Sequence, residues 1–183
     1  MAGSEPEAVR NLVERLKGGD AEAAASLYRL YADPLYRYFL YQIRDPDLAA
    51  DLTSEVFLRM LENIGRYNHR GVPFRAWLFK IAHNLVIDHY RERTKFISGE
   101  ADLPEPGSDD PEPPDLDRYR LFAALNRLTA EQRQVVLLRF VEDLDIKEVA
   151  AILGKTEGSV KALQHRAITA LRRLLEGDPN GRA

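Results

Sequence analysis

The chain has 183 residues, enough for one domain or two small ones, with 30% charged residues and a net charge of −3. It contains no cysteine, which excludes disulfides, thiolate metal sites and a cysteine nucleophile. No apolar run reaches membrane length, and the N-terminal MAGSEPEAVR lacks the character of a signal peptide, so we expect a soluble cytoplasmic protein without insertion into the membrane.

The first third of the sequence predicts a series of helices. Residues 1–20 are expected to form a tail and one amphipathic helix, and a second helix is predicted from about Ala21 to Ala32. Asp33-Pro34 and Asp45-Pro46 then repeat one start signal, a capping aspartate before a proline in the first helical position. The signal predicts separate helices over residues 34–44 and 46–63. No stretch alternates with period two, so no strand is predicted.

The predicted helix 46–63 carries an acidic stripe beside its apolar face. The stripe consists of Asp47, Asp51, Ser54, Glu55 and Leu58. Composition alone favours a solvated face. An acidic stripe that includes an exposed leucine is also a suitable docking surface for a basic helix of a partner, and both interpretations stay open.

A polar loop, RYNHRGVP, precedes a long helix that is predicted to begin at Pro73. The loop combines rings, an amide and guanidinium groups, which are the groups that hold single-stranded bases. The helix is apolar on two sides, as expected of the centre of a domain, and Lys80, Asn84 and Arg91 form a narrow polar strip between them. We interpret Trp77 as a core residue rather than a base-stacking one.

The same helix contains the one cluster with a metal-like composition, formed by His83, Asp88 and His89. Asp88 lies well around the helix from both histidines, so core and cap roles are favoured over a metal site. The sequence also lacks a glycine-rich phosphate loop, a nucleophile elbow and paired catalytic carboxylates. We therefore expect no catalytic residue, no metal and no cofactor.

Negative charge is concentrated in one segment. Residues 100–117 hold eight acids, five prolines and no basic residue, so the rest of the chain is net basic. Such a segment cannot bury a core and predicts an extended linker over residues 98–117. The predicted fold is all-α, with two small helical domains joined by this acidic, proline-rich linker.

The clearest local signature is IKEVAAILGKTEGSVKALQH, residues 146–165. Asp145 and Glu148 form a capping box that predicts a helix start at Ile146, and Gly154 predicts its end. A second helix capped by Thr156 completes a helix-turn-helix arrangement. Its basic face suits the major groove of DNA and comprises Lys161, Ala162, His165, Arg166, Thr169, Arg172 and Arg173. Two ordinary core helices are the weaker alternative.

Two segments together resemble one protein family. DPDLAADLTSEVFLRML with the later FRAWLFKIAHNLVIDHYRER is similar to the second conserved region of bacterial RNA polymerase sigma factors. LTAEQRQVVLLRFVEDLDIKEVAAILGKTEGSVKALQHRAITALRRLL is similar to their fourth region. With only a linker between them, the pattern resembles the extracytoplasmic-function (ECF) group. The resemblance implies region 2 over residues 21–97 and region 4 over residues 118–176, with a tail over 177–183.

The resemblance also implies three sets of site residues. Docking on the coiled coil of the largest polymerase subunit would use Asp51, Leu52, Thr53, Glu55, Val56 and Leu58. A base flipped from the −10 promoter element would be held by Arg66, Tyr67, Asn68, His69 and Arg70, with Lys80, Asn84 and Arg91 beside them. The −35 element would be contacted by Lys161, Ala162, His165 and Arg166, with Thr169 and Arg172 further along the helix.

The function implied is that of a promoter-specificity subunit without chemistry of its own. Its partners would be core RNA polymerase, promoter DNA and an anti-sigma factor. In the family the linker runs through the polymerase cleft toward the RNA exit path, although a solvating spacer explains the composition equally well. The alternative function is a stand-alone helix-turn-helix regulator that binds operator DNA as a dimer, but the sequence contains no coiled dimerisation stretch. An enzyme is a third and weaker class.

Overall fold

The computed structural model describes residues 6–68, 72–96 and 116–175, which form helices and turns without a β-strand. Most of the predicted linker lies outside these residues. The α-helices are α1 (Glu7–Lys17), α2 (Ala21–Ile43), α3 (Pro46–Asn63), α4 (Phe74–Phe96), α5 (Leu116–Asn126), α6 (Ala130–Val136), α7 (Ile146–Leu153) and α8 (Glu157–Leu175). The all-α fold class is confirmed. Among the described helices, none has the length and apolar character needed to cross a membrane.

Several helices begin and end where their capping residues predict. The Asp45 carboxylate accepts a 3.0 Å hydrogen bond from the Leu48 amide at the start of α3. Asp145 and Glu148 exchange 2.7 Å hydrogen bonds with each other's backbone amides, which completes the capping box of α7. Gly154 ends α7 at a φ of 64°, a left-handed conformation that glycine adopts at little cost.

One predicted helix boundary is wrong, because Asp33-Pro34 does not start a new helix. The α2 helix runs unbroken from Ala21 to Ile43 with Pro34 in its interior. Proline removes the hydrogen bond to the carbonyl four residues earlier, and here that carbonyl belongs to Leu30, a residue on the exposed side of the helix. Tyr31 and Leu35 are buried on either side of the proline, and their burial favours a continuous helix.

Aromatic side chains fill the centre of the N-terminal half, which consists of α1 to α4. Tyr38, Phe39, Phe74 and Phe79 are all fully buried. The rings of Tyr38 and Phe79 meet edge to face with 5.5 Å between their centroids, an arrangement that aromatic pairs favour. The α4 helix packs against both α2 and α3, so the predicted long helix is central to this half.

The α7 and α8 helices form the predicted helix-turn-helix in the C-terminal half. The Thr156 hydroxyl accepts a 3.2 Å hydrogen bond from the Ser159 amide and caps α8. Val160, Leu163 and Ala167 are buried on one side of α8, as the apolar stripe predicts. A π-helical turn, Leu137–Val141, connects α6 to the segment before α7. This packing leaves the opposite face of α8 in solvent.

The two halves pack against each other and share one hydrophobic core. The α7 helix lies on α4, and polar contacts between described residues cross the boundary. Arg75 forms a 3.0 Å ion pair with Glu142, whose side chain is 1% exposed. The Lys80 ammonium donates a 2.5 Å hydrogen bond to the Ile152 carbonyl, and Arg44 donates to a carbonyl of α5. The sequence predicted a tether between the halves and gave no sign of this direct packing.

Candidate nucleic-acid interface

The basic face of α8 is open to solvent. Six of its seven predicted side chains are exposed, namely Lys161, Ala162, His165, Arg166, Arg172 and Arg173. Thr169 is half-buried, and its hydroxyl donates a 2.9 Å hydrogen bond to the His165 carbonyl, so that donor is already used. An exposed face with guanidinium, ammonium and imidazole groups on one helix has the shape and chemistry that major-groove contact requires.

Arg139 fixes α8 relative to the π-helical turn. Its guanidinium donates one hydrogen bond to the Leu144 carbonyl and another, of 3.3 Å, to the Gln164 side-chain oxygen. Gln164 thereby ties α8 to the loop that precedes α7. The sequence did not single out Arg139 or Gln164, because their pairing depends on the irregular turn that brings two distant segments together.

A cavity of about 300 Å³ lies between the end of α3, the short 3-10 turn that follows it, and α4. Its walls combine two aromatic rings, two amides, two guanidinium groups and one aliphatic side chain. These residues are Arg59, Asn63, Arg66, Tyr67, Trp77, Ile81 and Asn84. The combination suits a planar base, which needs stacking surface and hydrogen-bonding groups. Arg66, Tyr67 and Asn84 were predicted from sequence for a base site. Trp77 was assigned to the core, and Arg59, Asn63 and Ile81 were not singled out.

Tyr67 is a fixed part of the cavity wall rather than a free stacking ring. The ring is 6% exposed and packs against Trp77 and Phe74, at centroid distances of 4.9 and 5.6 Å. The Lys17 ammonium lies 5.7 Å from the ring centroid, and the Tyr67 hydroxyl donates a 2.9 Å hydrogen bond to the Val72 carbonyl. The ring therefore holds both ends of the loop in place. Trp77 is half-buried, so it serves both the core and the cavity.

Of the remaining loop residues of the predicted −10 set, the structure describes Asn68. Asn68 is exposed at the end of the described segment. His69 and Arg70 lie outside the described residues.

The predicted polar strip of α4 is divided among three environments. Asn84 is exposed and lines the cavity of about 300 Å³. The Lys80 ammonium is occupied by the Ile152 carbonyl of the other half. Arg91 lines a different cavity, of about 690 Å³, between the two halves. In this arrangement only Asn84 of the strip faces the candidate base site.

The predicted docking set on α3 is partly buried. Asp51 and Leu58 are exposed, and Leu52 and Glu55 are half-buried. Thr53 and Val56 are 5% and 0% exposed, so the structure contradicts direct contact between these two and a partner. Their helical position places them on the core side, where they hold the exposed stripe in place.

One further apolar residue extends the docking stripe. Leu61 is 47% exposed and Leu58 is 57% exposed, one turn apart on α3. Leu58 follows Asp51 by two helical turns, and Leu61 follows Leu58 by three residues. All three residues therefore lie on the same face of α3. Helical periodicity could have found Leu61, since it follows the stripe by one further turn.

One member of the metal-like cluster of α4, His83, is a core residue, as the sequence favoured. His83 is 5% exposed, and burial, with the nearby Lys80 and Lys155 ammonium groups, lowers the pKa of its imidazole to about 4. The described residues contain no group of three side chains able to hold a metal ion.

Two segments of the chain match known family descriptions. Residues 27–96 match Sigma-70 region 2, and residues 118–171 match Sigma-70 region 4. Two solved structures share the fold at 24% identity. CnrH, in complex with the cytosolic domain of CnrY, has a TM-score of 0.72 and covers 94% of this chain and 99% of its own. RpoE of Bartonella quintana, in complex with the anti-sigma factor NepR, has a TM-score of 0.68 and covers 84% and 97%.

Two curated relatives are more similar in sequence. The ECF RNA polymerase sigma factor BldN of Streptomyces coelicolor is 40% identical over 183 residues, which cover 97% of this chain and 69% of BldN. The ECF RNA polymerase sigma factor SigX of Bacillus subtilis is 31% identical over 160 residues, which cover 82% of each chain. Because the identity extends over both regions, the chain belongs to the extracytoplasmic-function RNA polymerase sigma factors.

Proposed function

We propose that the chain directs core RNA polymerase to specific promoters through three separate surfaces. The exposed stripe of α3 docks on the polymerase, the α8 face reads the −35 duplex, and the cavity between α3 and α4 holds a base of the −10 element. The observation that carries the proposal is the presence of both sigma regions in one chain.

The chemistry of each surface supports its role. The α3 stripe offers carboxylates and two exposed leucines, Leu58 and Leu61, which complement a basic amphipathic helix. The α8 face offers donors and cations to a duplex, whose bases are read from the major groove. The cavity offers rings and amides to a base that has left the stack, since a paired base hides both of its faces.

The family suggests an inhibitory partner, a cellular location and a binding role for this chain. RpoE of Bartonella quintana was solved with the anti-sigma factor NepR, and a protein of that class is a suitable inhibitor of this chain as well. A subunit of this kind acts where the polymerase acts, in the cytoplasm, and supplies binding rather than catalysis. The alternative of a stand-alone operator-binding regulator has no docking role for the α3 stripe.

Run-off transcription tests the proposal as a whole. Core RNA polymerase with the purified chain is expected to produce discrete transcripts from a subset of genomic fragments, and core polymerase alone is expected to produce none of them. Binding of the chain to DNA without any stimulation of transcription would support the operator-binding alternative instead.

Promoter melting tests the cavity. Tyr67 is unsuitable for this purpose because it is buried, so the variant to use is Arg66→Gln with Asn84→Ala. We expect it to keep closed-complex formation and to reduce the open complex about ten- to a hundredfold, the effect of losing a contact of about 1–3 kcal/mol. Arg10→Gln with Asn11→Ala makes the same chemical changes on exposed residues of α1 and serves as the control.

Permanganate footprinting on two templates distinguishes base capture from simple binding. A promoter that is already mismatched across the −10 element needs no melting, so it is expected to restore the activity of the cavity variant. An equal defect on the duplex and the mismatched template would contradict base capture and leave a role in DNA binding alone.

A further inference from the structure

One ion pair connects two of the surfaces described above. Glu55 lies on the docking stripe of α3, and Arg59 lies one turn later and lines the candidate base cavity. The Arg59 Nε donates a 2.8 Å hydrogen bond to a Glu55 carboxylate oxygen. Each side chain is 39% exposed, so the pair is accessible from both surfaces.

The backbone of Arg59 is fixed, whereas its guanidinium is held by one side chain. The Arg59 backbone carbonyl is fixed in the helix and also accepts a 2.9 Å hydrogen bond from the Asn63 side chain. Among the described residues, Glu55 is the one whose side chain meets the guanidinium. Arginine has five N–H donors, so most of its capacity to bind an anion such as a phosphate is unused.

The pair is weak enough for a partner to break. Exposed ion pairs between residues four apart on a helix contribute little, because water and salt screen them. A cation on a docking partner that approaches Asp51 and Glu55 would therefore compete successfully with Arg59 for the Glu55 carboxylate.

We propose that Glu55 partly neutralises Arg59 in the free chain, and that docking of the polymerase on Glu55 makes the guanidinium fully available to the −10 strand. The released guanidinium then binds a phosphate of the strand whose base occupies the cavity. Arg59 is thus a further DNA-contacting residue, and Glu55 is a positioning residue that acts through it. The coupling rests on the function proposed above, because it needs both the docking stripe and the cavity.

The salt dependence of strand binding by the free, full-length chain tests the coupling. The probe is a single-stranded oligonucleotide that carries the non-template −10 sequence of a promoter identified by run-off transcription. Glu55→Gln breaks the ion pair without polymerase. We expect it to bind this strand more tightly than the wild type and to steepen the slope of log K against log salt by at most about 0.7, the contribution of one full phosphate contact.

A matched variant separates the ion pair from a general change of charge. Glu62→Gln removes the same charge from an exposed residue of the same helix that forms no ion pair within the described part of the chain. We expect its slope to equal that of the wild type. Identical slopes for Glu55→Gln and Glu62→Gln would overturn the coupling.

The double variant identifies the group that is released. Glu55→Gln with Arg59→Gln is expected to return to the wild-type slope, and a slope that stays steep would overturn the role of Arg59.

A third variant, Asn84→Ala, distinguishes failure of the coupling from failure of the cavity itself. If it weakens strand binding while the Glu55 variants behave as controls, the cavity remains and only the coupling is lost. If it binds the strand as the wild type does, the cavity and the coupling are both overturned.

Discussion

The Lys80 ammonium donates a 2.5 Å hydrogen bond to the Ile152 carbonyl, and so joins the predicted −10 strip of α4 to the end of α7. The last carbonyls of a helix lack partners within it and carry partial negative charge, so a cation is favourable there. This contact uses one of the three N–H donors of the Lys80 ammonium. It holds the ammonium against α7, and Lys80 is not among the residues that line the candidate base cavity.

The Arg75–Glu142 ion pair is expected to stabilise the packing between the halves. Arg75→Met should lower the free energy of unfolding by about 2 kcal/mol, because the carboxylate of Glu142 would stay buried without its partner. Adding Glu142→Gln should recover more than half of that loss, since a neutral amide costs less to bury. Urea unfolding of the single and double variants measures both effects.

An exposed ion pair provides the control for this measurement. Arg29→Met breaks a pair with Glu22 in which both side chains are more than half exposed. The expected cost is at most about 0.5 kcal/mol. Equal losses for Arg75→Met and Arg29→Met would mean that the pair between the halves contributes no more than a surface contact.

Acid should destabilise the fold partly through His83. Burial lowers the pKa of His83 to about 4 from an unfolded value near 6.5, so the unfolded chain binds the proton more tightly. The contribution of His83 is fully present above pH 6.5 and is lost as the pH falls toward 4. Between pH 7 and pH 5 this single group should cost about 2 kcal/mol.

A neutral substitution isolates the His83 term from the other titrating groups. In His83→Gln, urea unfolding should depend less on pH across this interval, by about 2 kcal/mol relative to the wild type. His165→Gln replaces an exposed histidine of α8 and should leave the wild-type pH dependence unchanged. Parallel pH profiles for the wild type and His83→Gln would refute the assignment.

The docking stripe is expected to decide polymerase binding. Asp51→Lys with Glu55→Lys should abolish co-purification with core RNA polymerase while circular dichroism keeps its helical signal, because both residues lie outside the core. Glu7→Lys with Asp33→Lys applies the same change of charge to exposed residues of α1 and α2 and should co-purify normally. Unchanged co-purification of the stripe variant would rule out docking at this surface.

The α8 face should divide into residues that position and residues that specify. Arg166 is expected to bind phosphate, so its replacement by glutamine should weaken binding almost equally for all −35 sequences. Replacement of Lys161 or His165 by alanine should change the preferred sequence, at about 1–3 kcal/mol for each lost base contact. Selection from a randomised −35 library measures the preference. The same preferred sequence for all three variants would contradict this division.

Local signals in the sequence predicted the helices well, because caps and helix stops depend on a few neighbouring residues. Asp45 and the pair Asp145 and Glu148 begin their helices, and Gly154 ends α7 with positive φ. Pro34 shows the limit of such reasoning. It carries a start signal, but the burial of Tyr31 and Leu35 on the same helix outweighs the lost hydrogen bond.

The sequence by itself determined the all-helical fold, the helix-turn-helix with its exposed basic face, and the resemblance to sigma factors, since all three follow from local periodicity, capping and motif order. Only the tertiary structure decided which predicted residues are accessible. It buries Tyr67, Thr53 and Val56, and it engages Lys80 with Ile152. These outcomes depend on contacts between segments far apart in the chain, and helical periodicity carries no information about which distant segment will cover a given face.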